Sequence, residues 1–214
     1  MLVGRSAPEF TENAVWPDND FRPFRLADCR GRYVVLFFYP LDFTYVCPSE
    51  LIAFEHRMAE FSRRQVDVVG CSIDSTFSHL AWKKTPREEG GIGQLSYPLI
   101  GDVTHSVCRA FDVEGPTGVA LRATFLIDQM GIVQHQIVNS LAIGRDIDEL
   151  LRVIDALQYT ERNGEVCPAG WQKGKVGAFK PFTGARDIYM PQPAWADDRL
   201  AGDVLHSTTA AAAE

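Results

Sequence analysis

The most constraining feature of this 214-residue chain is an unbroken apolar run at 33–39, Tyr-Val-Val-Leu-Phe-Phe-Tyr, bounded by Gly31 and Pro40. A run without polar alternation is typical of a strand that is buried on both faces of a sheet. A turn-like stretch follows, and Pro48 suits the first turn of a helix, where its missing N–H costs nothing. The sequence therefore predicts a strand, a loop and a helix in succession, with Cys47 where the loop meets the helix.

The same alternation of strands and helices continues along the chain. After Pro48, apolar residues recur at spacings of three and four, which predicts one amphipathic helix with Leu51, Phe54, Met58 and Phe61 on a single face. Further strands are predicted at 66–73, 97–100, 122–127 and 132–138, and further helices at 75–85, 104–111 and 146–160. Residues 1–30 indicate short strands or loops. This order, with βα units followed by a hairpin and a helix, predicts an α/β fold with a mixed sheet covered by helices.

Periodicity ends at Gly164. Residues 164–214 carry Gly and Pro breaks and finish in four alanines and a glutamate. We therefore predict one domain over 1–163 and an extended C-terminal arm over 164–214 with a frayed end.

Charge and cysteine content exclude several classes of protein. The formal net charge of -7 argues against a nucleic-acid surface and against attraction to an anionic membrane. No apolar run reaches the roughly 18 residues of a spanning helix, and residues 1–8 do not resemble a signal peptide. We therefore predict a cytosolic protein without a membrane partner. An odd number of cysteines, at 29, 47, 71, 108 and 167, indicates chemistry and core packing rather than a disulfide framework.

Cys47 is the strongest candidate for that chemistry. A cysteine at a helix N-terminus faces unpaired backbone N–H groups and the positive end of the helix dipole, and both favour a thiolate. The alternative for a single cysteine is a small buried hydrophobic residue. A thiolate that attacks peroxide also needs groups that orient the peroxide and stabilise charge on the leaving oxygen. Thr44 offers a hydroxyl three residues upstream, and an arginine from elsewhere would offer a fork of donors.

Two segments carry a family resemblance. Residues 40–50, Pro-Leu-Asp-Phe-Thr-Tyr-Val-Cys-Pro-Ser-Glu, resemble the peroxiredoxin active-site pattern of Pro, three residues, Thr or Ser, two residues and Cys. Residues 164–171, Gly-Glu-Val-Cys-Pro-Ala-Gly-Trp, resemble the resolving-cysteine segment of the typical two-cysteine branch, which includes bacterial alkyl hydroperoxide reductase C. The resemblance covers about residues 3–175. It implies a thioredoxin-like three-layer fold with an N-terminal extension and a C-terminal arm.

The resemblance also implies roles for individual residues. Cys47 matches the peroxidatic cysteine and Cys167 the resolving cysteine. Thr44 matches the hydroxyl that contacts thiolate and peroxide, and Pro40 matches the residue that shields the pocket from water.

Three charged residues match the family's site as well. Arg122 matches the arginine that stabilises the thiolate and the transition state, and Glu50 matches the acid that orients arginines there. Arg145 resembles a second arginine near the site. The alternatives are an exposed strand-end charge for Arg122 and a first-turn acid, favourable at the helix dipole, for Glu50.

The implied function is thiol-dependent reduction of hydrogen peroxide and organic hydroperoxides. Cys47 becomes a sulfenic acid and then a disulfide with Cys167, which the resemblance places in another subunit of a homodimer, within a ring of dimers such as a decamer. No Gly-x-Gly-x-x-Gly motif or metal-ligand spacing is present, so we predict no cofactor and no metal. Electrons then come from a thioredoxin-like protein or a flavoprotein reductase. The alternatives are a holdase chaperone or structural ring whose thiols act only as switches, and a one-cysteine peroxidase in which Cys167 is incidental.

The chain departs from the family in its C-terminal part. Residues 90–93, Gly-Gly-Ile-Gly, resemble a loop of members that are prone to overoxidation, but no Tyr-Phe pair follows in the arm. The tail after Lys175, with Tyr189 and Trp195, matches no family pattern.

Overall fold

The computed structural model describes residues 1–177. Within them, strands and helices alternate as the sequence predicts. The strands are β1 (Thr11–Val15), β2 (Phe21–Arg25), β3 (Tyr33–Phe38), β4 (Val66–Ser72), β5 (Leu99–Gly101), β6 (Arg122–Ile127) and β7 (Val133–Asn139). The α-helices are α1 (Cys47–His56), α2 (Met58–Arg63), α3 (Thr76–Lys84), α4 (Ser106–Ala110) and α5 (Ile147–Asn163). Short 3-10 helices span Leu26–Cys29 and Arg87–Glu89.

The strands form one mixed sheet in the order β2-β1-β5-β4-β3-β6-β7. β3 and β5 run parallel to β4, whereas β6 runs antiparallel to β3 and β7 antiparallel to β6. All six residues of β3 are buried, as its unbroken apolar run predicts. The predicted α/β fold with a mixed sheet is confirmed.

Two hydrophobic cores lie on opposite faces of the sheet, because successive side chains of a strand point in opposite directions. On one face, Val35 and Phe37 pack in a cluster with residues of α1, α2 and α5. On the other face, Leu36 and Phe38 pack with residues of α4 and of the N-terminal segment. Each fully buried side chain of this kind contributes roughly 1.5–3 kcal/mol. The result is three layers, helix, sheet and helix, with the end of β3 held on both faces.

The helix after Cys47 differs from the prediction. The sequence predicts one continuous helix, but the structure has two, α1 and α2, separated at Arg57 (φ -105, ψ 4). The Arg57 N–H donates to the carbonyl of Phe54 at 3.0 Å, a tightened turn in place of an α-helical bond. Periodicity missed the break because Phe54 and Phe61 still reach the same core cluster. Apolar spacing shows which side of a helix is buried, and α1 and α2 bury their apolar sides in the same core cluster.

The chain divides into two compact units, Met1–Gln158 and a second unit that begins at Tyr159. In the described part of the second unit, the Tyr159 hydroxyl donates to Glu165 Oε2 at 2.5 Å, and the Tyr159 and Trp171 rings lie 4.8 Å apart. The predicted arm beyond residue 177, including Tyr189 and Trp195, lies outside the described residues. Over residues 1–177, no helix has the length and apolar character needed to cross a membrane.

Candidate active site

Cys47 is the first residue of α1, directly after the loop that leaves β3. Pro48 follows at the start of the helix, as the sequence predicts. The Cys47 side chain is fully buried, and Arg122 Nη1 donates to its Sγ at 3.3 Å. The loop, the helix start and a distant strand therefore meet at one sulfur atom.

Arg122 reaches Cys47 from the first position of β6, a neighbour of β3 in the sheet. Its Nη1 also donates to Glu50 Oε2 at 2.7 Å, and its Nε donates to the carbonyl of Leu141 at 2.7 Å. The residue is only 4% exposed, so an exposed strand-end charge is the wrong interpretation. Burial alone would lower the pKa of Arg122. The net shift is upward, because the hydrogen bond to Cys47 and the charges of Cys47 and Glu50 outweigh burial.

Glu50 links two guanidinium groups. It lies one turn after Cys47 on α1 and is buried, with Oε2 bound to Arg122 and Oε1 accepting from Arg145 Nε at 2.9 Å. Arg145 also donates to the carbonyl oxygens of Phe38 and Ala123, at 2.6 and 2.9 Å. Burial lowers the pKa of Arg145, opposed by its hydrogen bonds to Glu50. An arginine remains charged at physiological pH.

Pro40 and Thr44 belong to the loop between β3 and α1. Pro40 is buried, and Thr44 is half-buried. The Thr44 hydroxyl donates to the carbonyl of Leu41 at 3.0 Å. Its single hydrogen is therefore engaged, whereas its lone pairs remain available to accept a hydrogen bond.

Cys167 lies in the second unit and is half-buried. Its Sγ is 3.7 Å from Thr160 Oγ1. The backbone N–H of Gly177 donates to the Tyr159 hydroxyl at 3.0 Å, which closes the described part of this segment onto the end of α5. All five cysteines are free thiols.

The other three cysteines lie in buried positions. Burial raises the pKa of Cys29, reinforced by the charge of Asp67. Burial and the neighbouring Cys108 raise the pKa of Cys71 well above the usual value for a thiol. These surroundings favour the unreactive thiol form of Cys29 and Cys71. Within residues 1–177, no group of three or more His, Cys, Asp or Glu side chains is arranged to hold a metal ion.

A second buried polar cluster lies beside the loop and was not predicted. It joins Asp42 of the loop to His79 of α3, whose Nδ1 is 2.8 Å from Asp42 Oδ2. The two residues are 37 positions apart, so sequence spacing offers no signal for their contact.

Comparison with known proteins identifies the family. Residues 3–136 match the model of the AhpC/TSA family, and residues 156–177 match that of the C-terminal domain of 1-Cys peroxiredoxin. The chain belongs to the AhpC/TSA family. It is a peroxiredoxin and therefore a thiol-dependent peroxidase. This peroxiredoxin is 51% identical over 190 residues to the chloroplastic 2-Cys peroxiredoxin BAS1 of Hordeum vulgare, covering 88% of this chain and 90% of that protein.

Solved structures agree in fold. The reduced 2-Cys peroxiredoxin of Plasmodium vivax superposes with a TM-score of 0.82 at 52% identity, covering 83% of this chain and 92% of that chain. The mitochondrial 2-Cys peroxiredoxin of Plasmodium falciparum superposes with a TM-score of 0.75 at 40% identity, covering 78% of this chain and 100% of that chain. The thioredoxin-like fold implied by the resemblance is confirmed.

The cytosolic location predicted from the sequence is wrong by the same comparison. The barley relative is a chloroplastic protein, and the Plasmodium falciparum relative is a mitochondrial one. The prediction rested on the lack of a secretory signal in residues 1–8, and that criterion does not distinguish the cytosol from an organelle.

Proposed function

We propose that Cys47 is the nucleophile of the peroxidase reaction and that Cys167 resolves the oxidised product. The observation that carries the proposal is the 3.3 Å contact between Arg122 Nη1 and the buried Cys47 Sγ. Among the five cysteines, Cys47 combines a helix N-terminus with a guanidinium donor, and both favour a thiolate.

The charges around the sulfur support the same role. Arg122 and Arg145 carry two positive charges, and Glu50 carries one negative charge. A buried cluster with one uncompensated positive charge is costly, because charges are poorly solvated in the interior. The cluster becomes neutral when Cys47 is a thiolate. The net positive charge of Arg122, Arg145 and Glu50 therefore stabilises the Cys47 thiolate.

The first step is a displacement at oxygen. The Cys47 thiolate attacks the terminal oxygen of a hydroperoxide, the O–O bond breaks, and the leaving oxygen takes a proton to become water or an alcohol. Cys47 is left as a sulfenic acid. In this step Arg122 stabilises the charge that develops on the leaving oxygen, and Thr44 accepts a hydrogen bond from the peroxide. Pro40, buried at the end of β3, excludes water from the pocket.

The second step forms a disulfide. The Cys167 thiol attacks the sulfenic sulfur of Cys47, which releases water. Bridged cysteines have Cα atoms within about 7 Å, with the two sulfurs in contact. Because the Cys47 side chain is fully buried, the first turn of α1 has to unwind before another cysteine meets it. In this scheme residues 1–163 form the peroxidase domain, and 164–214 form the arm that delivers Cys167.

The bridge is expected between two subunits of a homodimer. β7 is an edge strand with Ile137 and Val138 each about two-fifths exposed, a surface suited to pairing with a second copy. Phe43, Tyr45 and Phe77 also expose their aromatic rings, and these rings are suited to a second self-contact. Two separate self-contacts per subunit would build a ring of dimers, such as a decamer.

The reductant restores both thiols by disulfide exchange. A thioredoxin-like protein or a flavoprotein disulfide reductase has the chemistry for this step. Each supplies a dithiol that attacks the disulfide between Cys47 and Cys167. The exchange reduces both cysteines and oxidises the dithiol of the reductant to a disulfide.

The proposal is tested by replacing Cys47 with serine and following thiol-dependent consumption of hydrogen peroxide. Cys47→Ser abolishes turnover, because an alcohol does not supply a thiolate at neutral pH. Cys29→Ser is the matched control and retains activity. Turnover by Cys47→Ser above a few per cent of wild type would assign the nucleophile to another residue.

A further inference from the structure

A largely buried polar cluster of Tyr39, Asp42, Ser78 and His79 holds the loop that leads to Cys47. Asp42 and His79 are both buried, and His79 is 0% exposed. The Asp42 carboxylate accepts from two hydroxyls, Tyr39 Oη at 3.0 Å and Ser78 Oγ at 2.8 Å, and its Oδ2 lies 2.8 Å from His79 Nδ1. Two of these partners, Ser78 and His79, are neighbours on α3. The cluster therefore fastens one loop residue to a helix.

The hydrogen bonds of His79 define where its protons are. Its Nε2 faces the carbonyl oxygen of Ile100 at 3.0 Å, and a carbonyl only accepts, so Nε2 carries a hydrogen. Its Nδ1 faces a carboxylate oxygen of Asp42, so one proton lies between these two atoms. The imidazole ring is thus held at both nitrogens.

The loop itself is held in an unfavourable backbone conformation. Phe43, directly after Asp42, has a φ of 53°, a left-handed geometry that a bulky residue rarely adopts. Such strain persists only where the surrounding contacts over-determine it. The Asp42 side chain supplies three of those contacts, and its backbone N–H adds a fourth by donating to Asp74 Oδ2 at 2.8 Å. Thr44 follows at once, with its hydroxyl bound to Leu41 on the other side of Asp42.

We propose that His79 and Asp42 are positioning residues for peroxide attack. Their contact holds the strained loop so that the Thr44 hydroxyl and Pro40 face a peroxide at Cys47. The contact between the two residues acts through the geometry that it imposes on the loop. The inference rests on the proposed role of Cys47 as the nucleophile.

Two substitutions of His79 separate positioning from packing. In His79→Asn, the side-chain amide lies at the same number of bonds from the backbone as Nδ1 and keeps a donor for Asp42. In His79→Gln, the amide lies at the level of Nε2, which keeps a partner for Ile100 but releases Asp42. His105→Asn is the matched control, because His105 also contacts a carboxylate, Glu114, and asparagine tolerates its left-handed backbone (φ 61).

The measurement compares two reactions of the same sulfur. Oxidation of Cys47 by hydrogen peroxide is followed in single-turnover stopped flow, and alkylation of Cys47 by iodoacetamide is followed by mass spectrometry. Because misplacing reacting groups by about 1 Å costs up to roughly 100-fold, His79→Gln is expected to slow peroxide oxidation by roughly 10- to 100-fold. Alkylation stays within about twofold of wild type, since it needs the thiolate but not the placed hydroxyl. His79→Asn and His105→Asn stay close to wild type in both reactions.

Two outcomes would overturn the inference. A peroxide rate constant for folded His79→Gln equal to that of wild type would show that the loop is held without His79. Equal losses in oxidation and alkylation would show that the pair acts on the thiolate rather than on the peroxide pocket. If His79→Gln fails to fold, Ser78→Ala removes one donor to Asp42 and is expected to show the same selective loss on a smaller scale. Wild-type Cys47 that peroxide leaves unoxidised would instead contradict the proposed function itself.

Discussion

At the residue scale, the environment of Cys47 shows where local sequence is informative and where it is not. Cys47, Thr44 and Glu50 lie within seven consecutive positions, so a sequence pattern finds them together. Their charged partners are distant, with Arg122 at 72 and Arg145 at 95 positions from Glu50. Spacing alone does not bring these groups together. The sheet brings Arg122 to Cys47, because β6 lies beside β3, and the segment between β7 and α5 brings Arg145 to Glu50.

Arg122 gives the sharpest prediction at this scale. Arg122→Ala removes a charge-assisted donor from Cys47, and such bonds contribute about 1.5–3 kcal/mol. That loss corresponds to roughly 10- to 100-fold in the rate constant for peroxide attack, measured by single-turnover stopped flow. Arg109→Ala, which removes an exposed arginine paired with Glu114, is the control and leaves the rate unchanged. An unaltered rate constant in Arg122→Ala would place the guanidinium outside the reaction.

At the element scale, the regular elements follow from the sequence, and the joints between them follow only in part. β3 is predicted by its continuous apolar run and the β6–β7 hairpin by its turn residues. The break between α1 and α2 at Arg57 was missed, because apolar spacing is unaffected by it. The contact of Asp42 with His79 was missed as well, since it depends on how α3 packs beside the loop.

The joint between α2 and α5 offers a second test. Arg64, just after α2, forms two hydrogen bonds with Asp155 of α5, at 2.9 and 2.7 Å, and both side chains are largely buried. Asp155→Asn removes one carboxylate from Arg64 and leaves it paired with Glu60 at 2.9 Å. Because hydrogen bonds to charged groups contribute about 1.5–3 kcal/mol, this variant is expected to lower the free energy of unfolding by that amount. The measurement is the midpoint of urea unfolding.

An exposed ion pair provides a matched comparison, because it joins Arg57, the residue between α1 and α2, to Asp148 of α5. Arg57 and Asp148 also form two hydrogen bonds, both of 3.0 Å, but their side chains are 46% and 68% exposed. Asp148→Asn should therefore cost at most about 1 kcal/mol. Equal losses in the two variants would mean that burial does not set the strength of these ion pairs.

At the scale of the whole molecule, sequence and fold identify a peroxiredoxin, whereas its assembly into dimers and rings is a proposal. That proposal depends on the edge strand β7 and on the exposed aromatic side chains of Phe43, Tyr45 and Phe77. The signal-peptide criterion failed as a guide to cellular location, since the relatives include chloroplastic and mitochondrial proteins.

Mixing two variants tests the proposed bridge between subunits. Cys47→Ser retains only Cys167 of the proposed pair, and Cys167→Ser retains only Cys47. If the disulfide joins two subunits, peroxide treatment of the mixture yields heterodimers with a single bridge on a non-reducing gel, while neither variant alone yields that species. Wild-type protein that oxidises only to an internally bridged monomer would contradict the inter-subunit arrangement.

In the proposed mechanism, peroxide oxidises Cys47 and no other cysteine. The most direct measurement treats Cys167→Ser, in which the sulfenic acid persists, with one equivalent of hydrogen peroxide in the presence of dimedone, which traps sulfenic acids. The trapped site is located by peptide mass spectrometry. We predict a label on Cys47 and none on the thiols of Cys29, Cys71 and Cys108. A label on one of those three, with Cys47 left as a thiol, would contradict the account.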